Sequence, residues 1–349
     1  MFAAALALVG RPYRVVGRSM EPALVEGDWV LVRDGAPRDG DVVVFREPDS
    51  GVLAVKRVAG APGESVQIVG SDLWSGGAPR ARPLGSVEEL VPMLDSRGDE
   101  LAAHLDLQGA GFQAAGGAWD LAEGLAQAFL RRPPLADYAL RGEIVPGALP
   151  AADLGLELEY ALGDASAEVH VELRIGRASF RASLLEGGGR LRVERREPEQ
   201  AVAVLDERLL EPPAVRGRLF FAAVDRRLTV AVQGLVLLDG LPFQPPAPPI
   251  FADRPPDFGH FSHAGIGGRG PLRVSRIRLG RDVLLEPSGT YGASEVFHLG
   301  PDEYFLLGDN PTHSRDSRHY GAVERSAIVG VVRSRWGGRG WTDRGWRRE

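Results

Sequence analysis

Short β-type runs separated by turn residues constrain this chain more than any other feature of its sequence. Between Tyr13 and Val69 the runs Tyr13–Val16, Trp29–Arg33, Asp41–Phe45, Leu53–Val58 and Ser65–Val69 are punctuated by Gly27-Asp28, Asp34-Gly35, Asp39-Gly40 and Pro62-Gly63. From Leu154 the pattern resumes: Leu156–Tyr160, Val169–Leu173 and Arg190–Glu194 alternate apolar and polar residues, as half-buried antiparallel sheet requires. Arg218–Ala223 and Leu228–Val232, separated by a polar turn at Asp225–Arg227, predict a hairpin, and Leu235–Leu238 and Leu272–Leu279 predict further strands. The fold class is therefore mainly β.

Between these regions the composition changes. Ser71 to about Pro83 is rich in Gly, Ala, Pro and Arg and reads as a linker. Ser86 with Glu89 is a capping-box pattern, predicting a short helix over Val87–Leu94. A second helix is predicted over Leu121–Leu130, ended by Pro133-Pro134. Pro242–Pro256 is too proline-rich for central sheet and reads as a long loop. The strand rhythm over roughly 137–287 suits a β-sandwich, and it resembles the concanavalin/laminin-G-like jelly-roll class by rhythm and hairpin, without a motif.

At 349 residues the chain has room for two domains, and its net charge of −6 without a basic stripe speaks against nucleic acid as a partner. It contains no cysteine, which excludes thiol nucleophiles, disulfides and cysteine metal sites. Of its 41 basic residues, Lys56 is the single lysine. An arginine keeps its proton at any usable pH, whereas a lysine among apolar neighbours such as Leu53, Ala54, Val55 and Val58 can lose one and act as a general base. The competing explanation is coding bias, with one lysine falling there by chance. Met1–Val9 is apolar, but nine helical residues rise only about 14 Å against a hydrocarbon core of about 30 Å. It is too short to span and lacks the regions of a signal peptide, so it is either a buried N-terminal element or the remnant of a longer anchor.

Four blocks of sequence share one likeness. Val16-Gly17-Arg18-Ser19-Met20-Glu21-Pro22, Gly40-Asp41-Val42-Val43-Val44-Phe45, Lys56-Arg57-Val58-Ala59-Gly60-Ala61-Pro62-Gly63-Glu64, and Gly308-Asp309-Asn310 continuing through Ser314-Arg315-Asp316-Ser317-Arg318 to Gly321 occur in the order found in type I signal peptidases. The chain resembles these membrane-bound Ser/Lys proteases over about 10–70 and 296–332. The resemblance implies a discontinuous catalytic domain at 10–70 and 291–334, interrupted by an inserted domain at 85–290 of short helices followed by the β-sandwich, with an Arg/Trp/Gly-rich tail at 335–349.

By the same resemblance Ser19 is the nucleophile, Lys56 the general base and Ser314 the serine that orients the lysine amine. The Ser19 backbone N–H would serve the oxyanion, while Asp309, Asp316 and Arg318 support the site structurally. Gly17 stands where some members have a serine donating to the oxyanion, which marks a subclass. Pro311 departs from the arginine usual after Gly-Asp-Asn and questions the local packing. No cofactor or metal is implied. The implied substrates are secretory precursors cleaved after a small residue in an Ala-X-Ala context, at a membrane surface with the catalytic domain extracytoplasmic. The alternative is a non-catalytic protein whose sandwich binds a glycan or protein ligand on a degenerate protease scaffold.

Other signals compete weakly with this set. Asp309, His313 and His319 invite a Ser/His/Asp reading, although proximity in sequence does not make a triad. His260 and His263 have a ligand-like spacing, but Pro255, Pro256 and Gly259 argue for solvated loop histidines, and Asp95–Glu100 reads as a solvated face. Trp336, Trp341 and Trp346 suit either a membrane interface or an unstructured end.

Overall fold

The computed structural model describes residues 10–336 except 70–71, 81–83, 88–89, 98–104, 109–110, 131–137, 141–142, 146–152, 244–262, 283–284, 286–288 and 294. Met1–Val9, the proline-rich stretch from Gln244, His260, Trp341 and Trp346 thus lie outside the described residues. Two compact units are present, one formed by Met1–Arg80 with Val283–Glu349 and the other by Ala81–Asp282.

In the first unit a seven-stranded antiparallel sheet runs in the order Arg11–Arg14, Trp29–Arg33, Ile328–Trp336, Val42–Arg46, Leu53–Gly60, Glu303–Leu307, Val323–Glu324. Strands from after the second unit thus lie between and beside strands from before it. The central run Val42–Phe45 is apolar at every position because both of its faces are covered. Val42 and Val44 pack with Met20, Leu24, Val30 and Val32 on one side, and Val43 and Phe45 with Val58, Leu306 and Val331 on the other. Each such fully buried side chain contributes about 1.5–3 kcal/mol.

A second sheet orders Phe297–His298, Ser65–Val69, Asp72–Ser75 and Ala78–Pro79. Within the linker expected over Ser71–Pro83, the described residues Asp72–Pro79 correct the expectation: the Gly76-Gly77 pair is the turn of a hairpin whose arms extend the strand before it. The expected tail is also corrected at its start. Arg335 and Trp336 end the strand Ile328–Trp336, and Trp336 stacks on Trp29 with ring centroids 6.4 Å apart.

The second unit is a β-sandwich. One sheet runs Phe112–Ala115, Ala118–Leu121, Leu272–Arg281, Leu154–Leu162, Arg216–Val224, Arg227–Val232, Leu235–Pro242, with Val91–Arg97 also paired to Leu272–Arg281. The other runs Ala203–Leu209, Arg190–Arg196, Ala178–Leu185, Glu168–Ile175, His263–Arg269, Leu125–Leu130, Leu105–Gln108. Their inner faces meet in one core that includes Leu156, Leu158, Phe221 and Val230 from the first sheet and Val171, Leu173, Phe180 and Ile266 from the second. The expected hairpin is formed, with Asp225 and Arg226 at φ 50° and 60° in its two-residue turn.

Both expected helices are corrected, the second to strand and the first to strand from Val91 onward, after a single turn in which the Leu90 N–H donates to Val87 O at 3.1 Å. Leu125–Leu130 buries Ala126, Ala128 and Leu130 while Leu125, Gln127 and Phe129 face outward, a period of two that its helix-forming composition concealed. Val91–Arg97 likewise pairs in register with Leu272–Arg281, and Asp95 there bonds Arg276 at 2.6 Å rather than facing solvent alone. His263 opens the strand His263–Arg269, which corrects the loop expected for it.

Candidate active site

Ser19 lies in the turn segment between the strands Arg11–Arg14 and Trp29–Arg33. That segment is held by its own bonds. The Leu24 N–H donates to Met20 O at 2.8 Å, the Val25 N–H to the Asp28 carboxylate at 2.9 Å, and the Met20 side chain is buried beneath. From the segment after the strand Glu303–Leu307, the Asn310 N–H donates to Ser19 O at 3.0 Å. Gly308 makes this approach feasible, since a Cβ there would fall 2.6 Å from Ser19 O and 2.2 Å from Ser314 Oγ.

Lys56 sits on the strand Leu53–Gly60, opposite Val43, on the face it shares with Val58. Its side chain is only 4% exposed, and its Nζ donates to Ser19 Oγ at 2.7 Å and to Val55 O at 3.1 Å. Burial holds the amine below the usual lysine range, while Asp316, Glu47 and Asp309 pull the other way. Each of those carboxylates is engaged by an arginine. Arg57 grips Asp309 through two bonds of 2.8 and 2.6 Å, Arg318 holds Asp316 at 2.8 and 3.0 Å, and Arg315 reaches Glu47 at 3.3 Å. Each carboxylate thus has an arginine for a partner, and no carboxylate among the described residues forms an ion pair with Lys56.

Asp316 organises the last block. It caps the short helix Ser317–Tyr320 and accepts from Gly308 N at 3.1 Å, Ser314 Oγ at 2.7 Å and Arg318, with both Asp316 and Arg318 fully buried. Ser314 thus lies beside Gly308 and Ser19, but its hydroxyl donates to Asp316, and the hydrogen bonds of Lys56 go to Ser19 and Val55. Pro311 begins the turn Pro311–His313, where a missing N–H costs nothing, and its carbonyl accepts from Arg318 at 3.0 Å. Gly17 adopts φ +82° with open space where a Cβ would stand. His313 bonds Asn310 and His319 accepts from Asp316 N, so neither is bonded to Ser19.

Sequence reasoning passed over Arg57, Asn310 and Ser317, whose buried hydroxyl accepts from Leu306 N at 2.9 Å. Arg57 stood next to Lys56 in plain view, but its partner is 252 positions away. The described residues contain no helix long and apolar enough to cross a membrane.

The family described as "Signal peptidase, peptidase S26" matches residues 1–99 and 285–337. Signal peptidase I of Bacillus amyloliquefaciens is 37% identical over 93 residues, covering 24% of this chain and 48% of the relative, and signal peptidase I V of Bacillus subtilis is 38% identical over 76 residues, covering 20% and 45%. The chain spans less than half the length of these curated relatives. Among solved structures, a carbohydrate binding module, CBM66 of Bacillus subtilis, overlaps 51% of this chain and 95% of its own at 10% identity and TM-score 0.34. A family GH16 endo-beta-1,3(4)-glucanase overlaps 64% and 96% at 7% identity and TM-score 0.38, and at such scores nothing about ligand or activity follows. The two outer segments of the chain, which together form one compact unit, are thus similar to the signal peptidase, peptidase S26 family.

Proposed function

We propose that this protein is a serine endopeptidase in which Ser19 is the nucleophile and Lys56 the general base. The 2.7 Å contact between Lys56 Nζ and Ser19 Oγ, made by an amine that burial pushes toward its neutral form, carries the reading. Ser19 Oγ attacks the scissile carbonyl carbon as its proton passes to Lys56, and the oxyanion is met by the Ser19 backbone N–H. Collapse returns the proton to the leaving amine, and water then releases the acyl group from Ser19 by the reverse order of transfers.

Ser314 acts through Asp316 in this scheme. Its hydroxyl helps keep that carboxylate with Arg318 and away from the lysine amine, a positioning role in place of a direct bond. Asp309 and Arg57 do the same on the other side. The substrate class, inferred from the family, is a secretory precursor at a membrane surface, cut after a small residue. An inert protease scaffold would leave the burial of the single lysine against a serine hydroxyl without a cause.

The test is cleavage of a precursor bearing an Ala-X-Ala site by the full chain. Ser19→Ala and Lys56→Arg should each abolish it while circular dichroism stays that of the parent. Substantial activity in Lys56→Arg would sink the general-base assignment, since a guanidinium keeps its proton.

A further inference from the structure

The outward face of the seven-stranded sheet in the sandwich carries polar side chains that proteolysis leaves without a task. Along Glu168–Ile175 the residues Val169, Val171 and Leu173 enter the core, so His170 and Glu172 point out. By the same alternation Arg181 and Ser183 point out from the next strand, and Arg192 and Glu194 from the one after. Strand register lines up Gln127, Gly267, His170, Ser183 and Arg192 as one row across five strands. A cleft of about 400 Å³ opens on this row, within the range typical of small-molecule sites.

An ordinary solvated sheet face would leave these groups exposed. Here His170 is 8%, Ser183 6% and Glu172 4% exposed. The His170 ring lies against Gly267, where a Cβ would be 2.6 Å from its Cε1 and Nε2. His170 lines the cleft, and its Nε2 is buried without a hydrogen-bond partner among the described residues. A buried polar atom left unpaired is unfavourable, so the ring marks this row as more than a solvated face.

The charges restrict what the cleft can bind. Arg181 pairs with Glu172 at 2.6 Å, Arg196 with Glu194 at 2.8 Å and Arg192 with Glu207 at 2.5 Å. Each guanidinium of the lining is thus paired with a carboxylate, and Glu168 adds a further carboxylate, so an anion finds no unpaired cation there. The cleft offers N–H donors and carboxylate acceptors at about the 4.8 Å strand spacing, which suits groups that donate and accept at once. Hydroxyls are such groups, and Leu125 and Leu185 at the margins suit the C–H faces between them.

We propose that this cleft binds a neutral, hydroxyl-rich ligand, a saccharide, through His170, Ser183 and Arg192. Burial and the neighbouring Arg181 and Arg196 hold the imidazole well below its ordinary range, so it stays neutral and can exchange donor and acceptor roles with a hydroxyl. The proposal rests on the sandwich alone and stands or falls apart from the peptidase reading.

The experiment uses the full chain with histidine Cε1 labelled by carbon-13, the His170 signal being assigned by its loss in His170→Gln. Maltotriose, cellotriose, laminaritriose and mannotriose are titrated separately, with citrate, inorganic phosphate and trialanine as charged and peptide probes. At least one sugar should shift the signal saturably. Arg192→Ala, at a partly exposed position, should weaken that sugar about tenfold or more, as loss of a charge-assisted bond requires. No shift with any sugar, a stronger response to citrate, phosphate or trialanine than to every sugar, or unchanged affinity in Arg192→Ala would each overturn the proposal. If His170→Gln fails to fold, assignment passes to the signal most altered by Ser183→Ala, and the same outcomes decide.

Discussion

Replacing Lys56 by methionine should change the stability of the catalytic unit by an amount that depends on pH with the slope of one proton. The folded amine loses its proton more readily than in the unfolded chain, whose reference is 10.5, because it is 4% exposed. Below the folded pKa both states are charged and the cost of burying the ammonium is fully present. Between the folded pKa and 10.5 the unfolded chain binds the extra proton, so stability rises with pH by about 1.4 kcal/mol per pH unit. Above 10.5 the cost is gone. Methionine has no such slope, so its advantage over lysine should shrink by that amount per unit across the window. A constant offset is superimposed, since methionine loses the bonds to Ser19 Oγ and Val55 O, together worth roughly 1–3 kcal/mol. Because no other lysine exists, the difference between the two proteins isolates this one group. Pulse proteolysis in urea between pH 6 and 10, with fragments of the two units told apart by mass spectrometry, reads it. A pH-independent difference, or an advantage of methionine that grows with pH, would refute the claim that burial dominates at Lys56.

If Lys56 is the base, kcat/KM should rise with pH through the folded pKa of its amine, and Glu47→Gln should move that limb to lower pH because the Glu47 charge favours the ammonium; a pH-rate profile on an Ala-X-Ala peptide measures both. Arg57→Ala strands the buried Asp309 carboxylate and should cost about 2–4 kcal/mol in denaturant unfolding, part of it recovered by adding Asp309→Asn. Gly308→Ala drives a methyl to 2.2 Å from Ser314 Oγ and 2.6 Å from Ser19 O, and should lower kcat about 100-fold through displacement of the nucleophile. Unchanged turnover there would show that the close approach is not needed.

The strands were legible where alternation was clean, as in Leu156–Tyr160, or where turns bounded a short run, as in Trp29–Arg33. They were not legible in Leu121–Leu130, where Leu, Ala and Gln favour helix locally and pairing with His263–Arg269 on one side and Leu105–Gln108 on the other makes Leu125–Leu130 a strand. Arg335 and Trp336 misled in the same way, since their glycine-rich surroundings hid a strand end that pairs with Trp29 and Val30.

The candidate site divides along the same line. Residue chemistry by itself singled out Lys56, because one lysine among arginines is a difference in kind, and motif order attached Ser19 and Ser314 to it. Only the tertiary structure decided that the amine meets Ser19 Oγ, that Ser314 serves Asp316, and that Asp309, Asp316 and Glu47 each have an arginine to answer them. A side chain's type travels with the chain, but its pKa and its hydrogen bonds depend on burial and on neighbours hundreds of positions away. Those are set when the two outer segments close into one sheet.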